Sequence, residues 1–218
     1  MRVASRAAPI AMVSLALVAW PLQASAHSPI EGLGAFYGHL LHPVTVQSHA
    51  MLLTAVALMF GQQGRSKARA GVIALGLAFA GGLAAATTGA SGTFSVSEPM
   101  FLLGALVVGG AVVLDLRVAA AVVVSVSVAT GLIIGLGPAP ATTGMRDKAL
   151  GIGGVATGVL YLTIVITGFT ISLQKHWQKI AVRVVGSWIF AVSMLVLAQT
   201  IAGPAKRVAA AAVGFLFG

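Results

Sequence analysis

Histidine is the residue type with the clearest chemistry in this chain, and four of its five copies lie between positions 27 and 49: His27, His39, His42 and His49. A neutral imidazole is the commonest protein metal ligand, and an ionisable side chain at or inside an apolar span marks an ion path by default. The group therefore points to capture or passage of a metal ion. The chain has no cysteine. Disulfides and thiolate sites are thereby excluded, which leaves imidazole, carboxylate, thioether, amide, carbonyl and water as ligands.

Spacing limits how these residues can cooperate. His39 and His42 are three apart, so on a helix they share a face and can hold one ion. Pro43 suits the first turn of a helix, where its missing N–H costs nothing. The first span is therefore predicted to begin near Pro43, with His42 at its mouth and His49 about two turns inside. On a straight helix those two histidines share a face but stand about 10 Å apart along the axis. They are successive stations on a path, or neighbours if the chain bends before Pro43. Met51 and Met59 are soft donors further down, and both read as core. If a leader is cut after Ala26, the α-amino group and imidazole of His27 become an adjacent chelating pair. His176, among Lys175, Trp177 and Lys179, reads as an interface residue. Any one of the clustered histidines also has a structural reading, at headgroup level or bonded to a backbone carbonyl.

Acidic residues are scarce. Asp115 has Arg117 close by, and Asp147 lies between Arg146 and Lys148, so both read as structural. Glu31 precedes the first span. Glu98 stands just before Pro99 at the mouth of the third span without a local charge partner, and is the carboxylate expected to face the histidine entrance. The candidate metal ligands are thus His42, His49, His39, His27 and Glu98.

The elements that must position them are membrane helices. The chain is 58% hydrophobic and 8% charged with mean hydropathy +1.02, whereas a soluble domain carries about 25% charged residues. The apolar runs are continuous rather than alternating, which excludes a β-barrel. The predicted fold is an all-α integral membrane protein, a bundle of about six transmembrane helices after a cleavable signal peptide. The leader has Arg2 and Arg6, an apolar stretch to Trp20, Pro21 and the small-residue pattern Ala24-Ser25-Ala26; the alternative is an uncleaved first helix. The expected organisation is a signal peptide over 1–26, a periplasmic histidine-containing segment over 27–44, the bundle over 45–202 and an apolar tail over 203–218. Spans are predicted near 45–61, 70–88, 99–114, 118–136, 149–173 and 184–202, each near the length a bilayer requires.

The net charge of +9 is dispersed around these runs, as topology signals are, and does not indicate nucleic acid. Arg65, Lys67, Arg69, Arg117, Lys175, Lys179 and Arg183 fall in alternate loops predicted to be cytoplasmic; Arg146, Lys148, Lys206 and Arg207 fall on the other side. This places the mature N-terminus in the periplasm and the protein in the bacterial inner membrane. Gly131 with Gly135, and Gly154 with Gly158, have the four-residue spacing of close helix approach. Thr163 and Thr167 share a face, where they can back-bond or bridge helices. Gly151, Gly153 and Ala156 imitate a dinucleotide fingerprint but lack the preceding strand it requires.

A leader ending just before a histidine, a glycine-rich stretch, His39-Leu40-Leu41-His42-Pro43 and a further histidine leading an apolar span resemble the HupE/UreJ family of small bacterial membrane proteins. The resemblance is strongest over 27–62. It continues more weakly through 96–109, similar to the family's third-span entrance, and Arg183-Val184-Val185-Gly186, similar to its last-span start. It implies nickel or cobalt uptake, often linked to hydrogenase or urease maturation. The family's first-span motif is a histidine, five residues, then Asp-His; His42 and His49 match it, and Ser48 stands where the aspartate would be. Its second motif, with histidine and glutamate in the fourth span, has no counterpart in 129–138.

These readings give an expected function: a membrane protein that binds and passes a divalent transition metal of the nickel or cobalt class through a histidine-lined entrance. His42 and His49 are the path ligands, with His27 and His39 as outer capture ligands. The alternative is a membrane accessory or assembly protein that kept the fold without the metal path. No nucleophile–base pair, paired carboxylates or cofactor motif indicates an enzyme. No tightly bound cofactor is expected, only a transported Ni or Co ion. The expected partners are the lipid bilayer, the divalent metal, and a membrane-protein partner or homo-oligomer.

Overall fold

The computed structural model describes residues 34–88, 96–137 and 144–217. The leader, His27, Glu31 and the outer part of the histidine segment lie outside the described residues. Eight helices are present among them and no strand: α1 Gly34–Leu40, α2 His42–Thr45, α3 Gln47–Gln63, α4 Arg65–Thr88, α5 Glu98–Val113, α6 Ala120–Gly135, α7 Met145–Ser172 and α8 His176–Phe217. The all-α membrane architecture expected from composition is what the chain adopts.

Helix α3 is the hub. Twelve of its 17 residues are buried, against five of 24 in α4. It packs between α5 and α7, while α4 pairs closely with α6, α8 lies along α5, and α1 rests on α7. Leu52, Leu53, Val56 and Phe60 of α3 sit at 0–1% exposure in the centre of the core. The outer surface is apolar, with Leu77, Val107, Phe169 and Trp188 all more than 60% exposed, as lipid-facing positions require.

Three helices, α4, α7 and α8 as far as Thr200, are long and apolar enough to cross a membrane, and α1–α2 with α3 together have the same length and composition across a 72° bend, as a broken span or a re-entrant loop has. Of the six expected spans, the third has the 16 residues anticipated and the fourth is three residues shorter. α5 and α6 have 16 residues each, about 24 Å at 1.5 Å per residue. Local signals bound them. Pro99 sits in the first turn of α5, and beyond its other end Asp115 takes a left-handed conformation (φ 48°) that turns the chain toward α6. At the C-terminus, α8 continues as helix through Pro204 to Phe217.

Small residues set the closest crossings. Gly131 and Gly135 of α6 lie directly on the backbone of α4 at Leu75, Phe79 and Gly82, with no room for a side chain. Several buried hydroxyls are satisfied within the bundle, whereas Ser193 Oγ of α8, fully buried, has no hydrogen-bond partner among the described residues. Thr163 donates to Val159 O (2.7 Å) and Ser127 to Val123 O (2.7 Å) on their own helices, whereas Thr167 donates across to Ala57 O of α3 (3.2 Å). The pair on α7 thus divides into one back-bond and one bridge. Gly64 alone joins α3 to α4, at φ 87°, a conformation that glycine adopts without steric cost. The stretch containing Gly151, Gly153 and Ala156 is uninterrupted helix inside α7, which rules out the dinucleotide loop.

Overpacking a tight contact costs about 1–3 kcal/mol. Gly135→Val is therefore expected to lower the unfolding midpoint in detergent clearly. Gly168→Ala, at a position with open space around the Cβ, is expected to leave it unchanged; equal midpoints for the two variants would contradict the α4–α6 contact.

Candidate metal site at the bent entrance

The site begins with a run that helices disfavour. Val44, Thr45 and Val46 are consecutive β-branched residues, each losing χ1 freedom against the preceding turn. The Thr45 hydroxyl bonds back to His42 O at 3.2 Å, offering the backbone an alternative to continued helix. Helix α2 ends there. Val46 is extended (φ −87°, ψ 105°), its N–H closes α2 on His42 O at 3.1 Å, and α3 starts at Gln47. The axes on either side of the break differ by 72°.

Packing selects this bend. The α1–α2 segment lies on α7 at the second glycine pair, where Gly154 meets the backbone of Phe36 and Leu40, and Gly158 meets Leu40 O and the Pro43 ring. Pro43 is buried in that seat. The chain therefore runs along α7 and turns sharply into the bundle as α3. The expected bend before Pro43 is corrected to a break at Val46, three residues after it. There the β-branched run weakens the helix, and the contact with α7 fixes its direction.

The consequence is chemical. The bend folds His42 back over the first turn of α3, and the rings of His42 and His49 come to 5.5 Å between centroids at 74°. On a straight helix they would be about 10 Å apart along the axis. His49 is buried at 8% exposure, and its other side packs against Phe101 of α5 at 4.3 Å between centroids. His42 is half-buried at the mouth.

The other sequence candidates are placed differently. His39 Nδ1 lies 2.7 Å from Ala35 O one turn back in α1. A carbonyl can only accept, so Nδ1–H is the donor in this contact, and in a neutral ring Nε2 would be the nitrogen left to bind a metal. Glu98 is exposed in the first turn of α5, three residues before Phe101. Its helix end abuts the entrance, but the slot beside His49 is filled by the Phe101 ring, and the carboxylate stays with solvent. Among the described residues no three His, Asp or Glu side chains converge to hold an ion. His27 lies outside those residues. Met59 is core at 3% exposure and Met51 packs against that core, as their positions in a span suggest.

Two contributors were not evident from the sequence. Phe101, which fixes the face of His49, carries only the signal of lying one turn beyond Glu98 on the third span. Gly154 and Gly158 are visible as a close-packing pair, but their partner is not. Below His49, the apolar side chains of Leu52, Leu53, Val56 and Phe60 occupy the hub at 0–1% exposure. α6 lines the core with Ser127, Thr130, Gly131 and Ile134 and holds no ligating acid or histidine.

Against known proteins, a family model described as HupE / UreJ protein matches residues 15–197 of the 218. That range covers the bent entrance and most of the bundle. No curated protein and no solved structure matches the chain.

If the α7 seat holds the bend, Gly158→Val should push Leu40 and Pro43 away and separate the two rings. Ni(II) titration by calorimetry on the purified chain is then expected to show about tenfold weaker binding, comparable to loss of a supporting contact around a metal ligand. Unchanged affinity in a folded Gly158→Val protein would show that the seat does not set the ring geometry.

Proposed function

The chain belongs to the HupE/UreJ family, and from that premise we propose that it binds a divalent transition metal of the nickel or cobalt class at the His42–His49 pair and passes it across the membrane. The observation that carries this reading is the 5.5 Å ring separation created by the 72° break. Metal–imidazole bonds are about 2.0–2.1 Å, so two rings sharing one ion stand roughly 5 Å apart by centroid. The two histidines are therefore spaced to grip one ion rather than to form separate stations.

Two imidazoles make an incomplete ligand set. Water completes it, with His39 and His27 as outer capture ligands and the Glu98 carboxylate adding negative charge at the mouth. An incomplete set suits a cargo ion, since passage requires a site favourable enough to fill and weak enough to empty. Imidazole ligands are compatible with nickel and cobalt and leave copper and zinc as competitors. The proposed setting is the bacterial inner membrane, with the histidine entrance facing the periplasm. Its support is the collection of basic residues at the other end of the bundle, the pattern of a cytoplasmic face.

A second reading has its own observation. The apolar floor under His49 and the absence of ligating groups in α6 suit an accessory membrane protein that receives or presents metal without moving it. In the transport reading that floor must open, with α3 shifting against α5 and α7.

Reconstituted vesicles decide between them. The intact chain is expected to take up Ni(II) or Co(II), and His42→Ala with His49→Ala to abolish uptake. Calorimetry on the single and double variants is expected to show strong non-additivity, each single change costing nearly as much as both, because one ion joins the pair. Binding by the intact chain without uptake would establish the accessory reading. No binding, or binding that survives the double change, would overturn the site.

A further inference from the structure

The opposite end of α3 carries a second, unrelated feature. His49 and Gln63 are about 21 Å apart along the helix. Beside Gln63 a cavity of about 360 Å³ opens between the end of α3, the start of α4, the α5–α6 turn, the end of α7 and the start of α8. Three cations line it, Arg65, Arg117 and Lys179, with one carboxylate, Asp115. Asp115 is offset by Arg117, whose guanidinium lies 3.7 Å from Oδ1 and also donates to Gln62 O. The side chains of Arg65 and Lys179 make no hydrogen bond or ion pair among the described residues. Nearby basic residues are occupied by backbone carbonyls instead: Lys67 donates to Val118 O (2.7 Å) and Arg183 to Val113 O (2.7 Å).

Helix polarity makes the imbalance greater. α4 and α8 both begin at this cavity, and neither has an acidic residue in its first turn. Their N-terminal ends carry partial positive charge, where anions are favoured and cations are not. Arg65 opens α4 and Lys179 lies in the first turn of α8. Exposed cations at positive helix ends, around a cavity whose one acid is already paired, leave a local excess of positive charge that an anion would offset.

We propose that this cavity binds a phosphate group, supplied by the headgroup of an anionic phospholipid. Arg65 and Lys179 hold the phosphate oxygens, Arg117 adds charge from the α5–α6 turn, and the Gln174 amide at the rim, which gives one N–H to Ile171 O (2.6 Å), has a second for a further oxygen. The surroundings favour a lipid source. Phe169 and Ile180, adjacent in sequence to the lining Thr170 and Lys179, are exposed apolar side chains on which acyl chains can lie. Trp177, 64% exposed in the first turn of α8, is the residue type that settles at headgroup level. Basic pockets between helix ends on the cytoplasmic side are of the kind that hold such headgroups.

The test uses the full chain, purified and delipidated, in nanodiscs of phosphatidylcholine with a rising fraction of phosphatidylglycerol. Co-purifying lipid is read by native mass spectrometry and the unfolding midpoint is followed in parallel. The intact protein is expected to retain phosphatidylglycerol preferentially, and Arg65→Ala with Lys179→Ala to reduce that preference by about fivefold per cation removed. Arg146→Ala with Lys148→Ala removes the same charge at the other end of the bundle and is expected to leave the preference intact. Inorganic phosphate, titrated in detergent, distinguishes the source. A midpoint shift with phosphate that the Arg65/Lys179 variant lacks assigns the site to free phosphate and overturns the lipid source; a shift with phosphatidylglycerol alone supports it. Equal retention by the intact chain and the Arg65/Lys179 variant, or an equal loss in the Arg146/Lys148 control, would overturn the proposal. Should the double variant not fold, Lys179→Gln carries the same comparison.

Discussion

The contact on which the rest of the entrance depends is backbone against backbone: α1–α2 lying on Gly154 and Gly158 of α7. Without side chains at those two positions, Leu40 and Pro43 come close enough to fix the direction of the incoming chain. The β-branched run at Val44–Val46 supplies a weak point in the helix, and the seat decides which way it breaks. The histidine pair, the burial of His49 and its stacking on Phe101 follow from that direction. Glycine pairs are usually discussed as a means of helix association in lipid. Here one such pair also does a positioning task, because the segment it holds carries a potential ligand.

The bundle places this entrance on its most buried helix. α3 is surrounded by α5, α7, α4, α8 and α6, so a side chain in its first turn is at once near the membrane surface and in contact with the core. Burial takes an imidazole out of water, and a buried polar group is costly unless it is partnered. The neighbouring ring of His42 and the face of Phe101 give His49 such surroundings. Immediately beneath, close-packed leucine, valine and phenylalanine form a floor. Interiors of this density switch between discrete packings rather than deform gradually. Movement of an ion past His49 therefore implies a second arrangement of α3 against its neighbours rather than a static pore.

The two ends of the bundle differ in chemistry. The entrance end presents imidazoles and Glu98, with Arg146, Asp147 and Lys148 in the first turn of α7. The other end presents arginine and lysine, one paired aspartate, and glutamine side chains that tie α3 to the α5–α6 turn. Gln63 donates to Leu116 O (2.7 Å) and accepts from Val118 N–H (3.1 Å), and Gln62 donates to Val112 O (3.0 Å). These bonds replace the hydration that the backbone of a short turn would lose at the edge of the bilayer. They also anchor the lower end of α3.

Much of this was determined by the sequence alone. Composition dictated an all-α membrane protein, because so few charges cannot cover a water-facing surface. Continuous apolar runs located α3 to α7 to within about five residues, while α8 begins well before and ends well after the expected last span, and the His42–Pro43 and His49 positions marked the entrance and the family. The tertiary structure decided what periodicity cannot express. Helical spacing describes one straight element, and on it His42 and His49 are two stations. The crossing with α7 turned them into neighbours, left Glu98 with solvent, and gave the slot beside His49 to Phe101. The same limit applies at the basic end. The sequence shows cations flanking several spans, but only the packing of five helix ends brings Arg65, Arg117 and Lys179 around one cavity. Local preferences are written in short stretches of chain, whereas a site built from distant segments exists only once close contact between helices has fixed their relative positions.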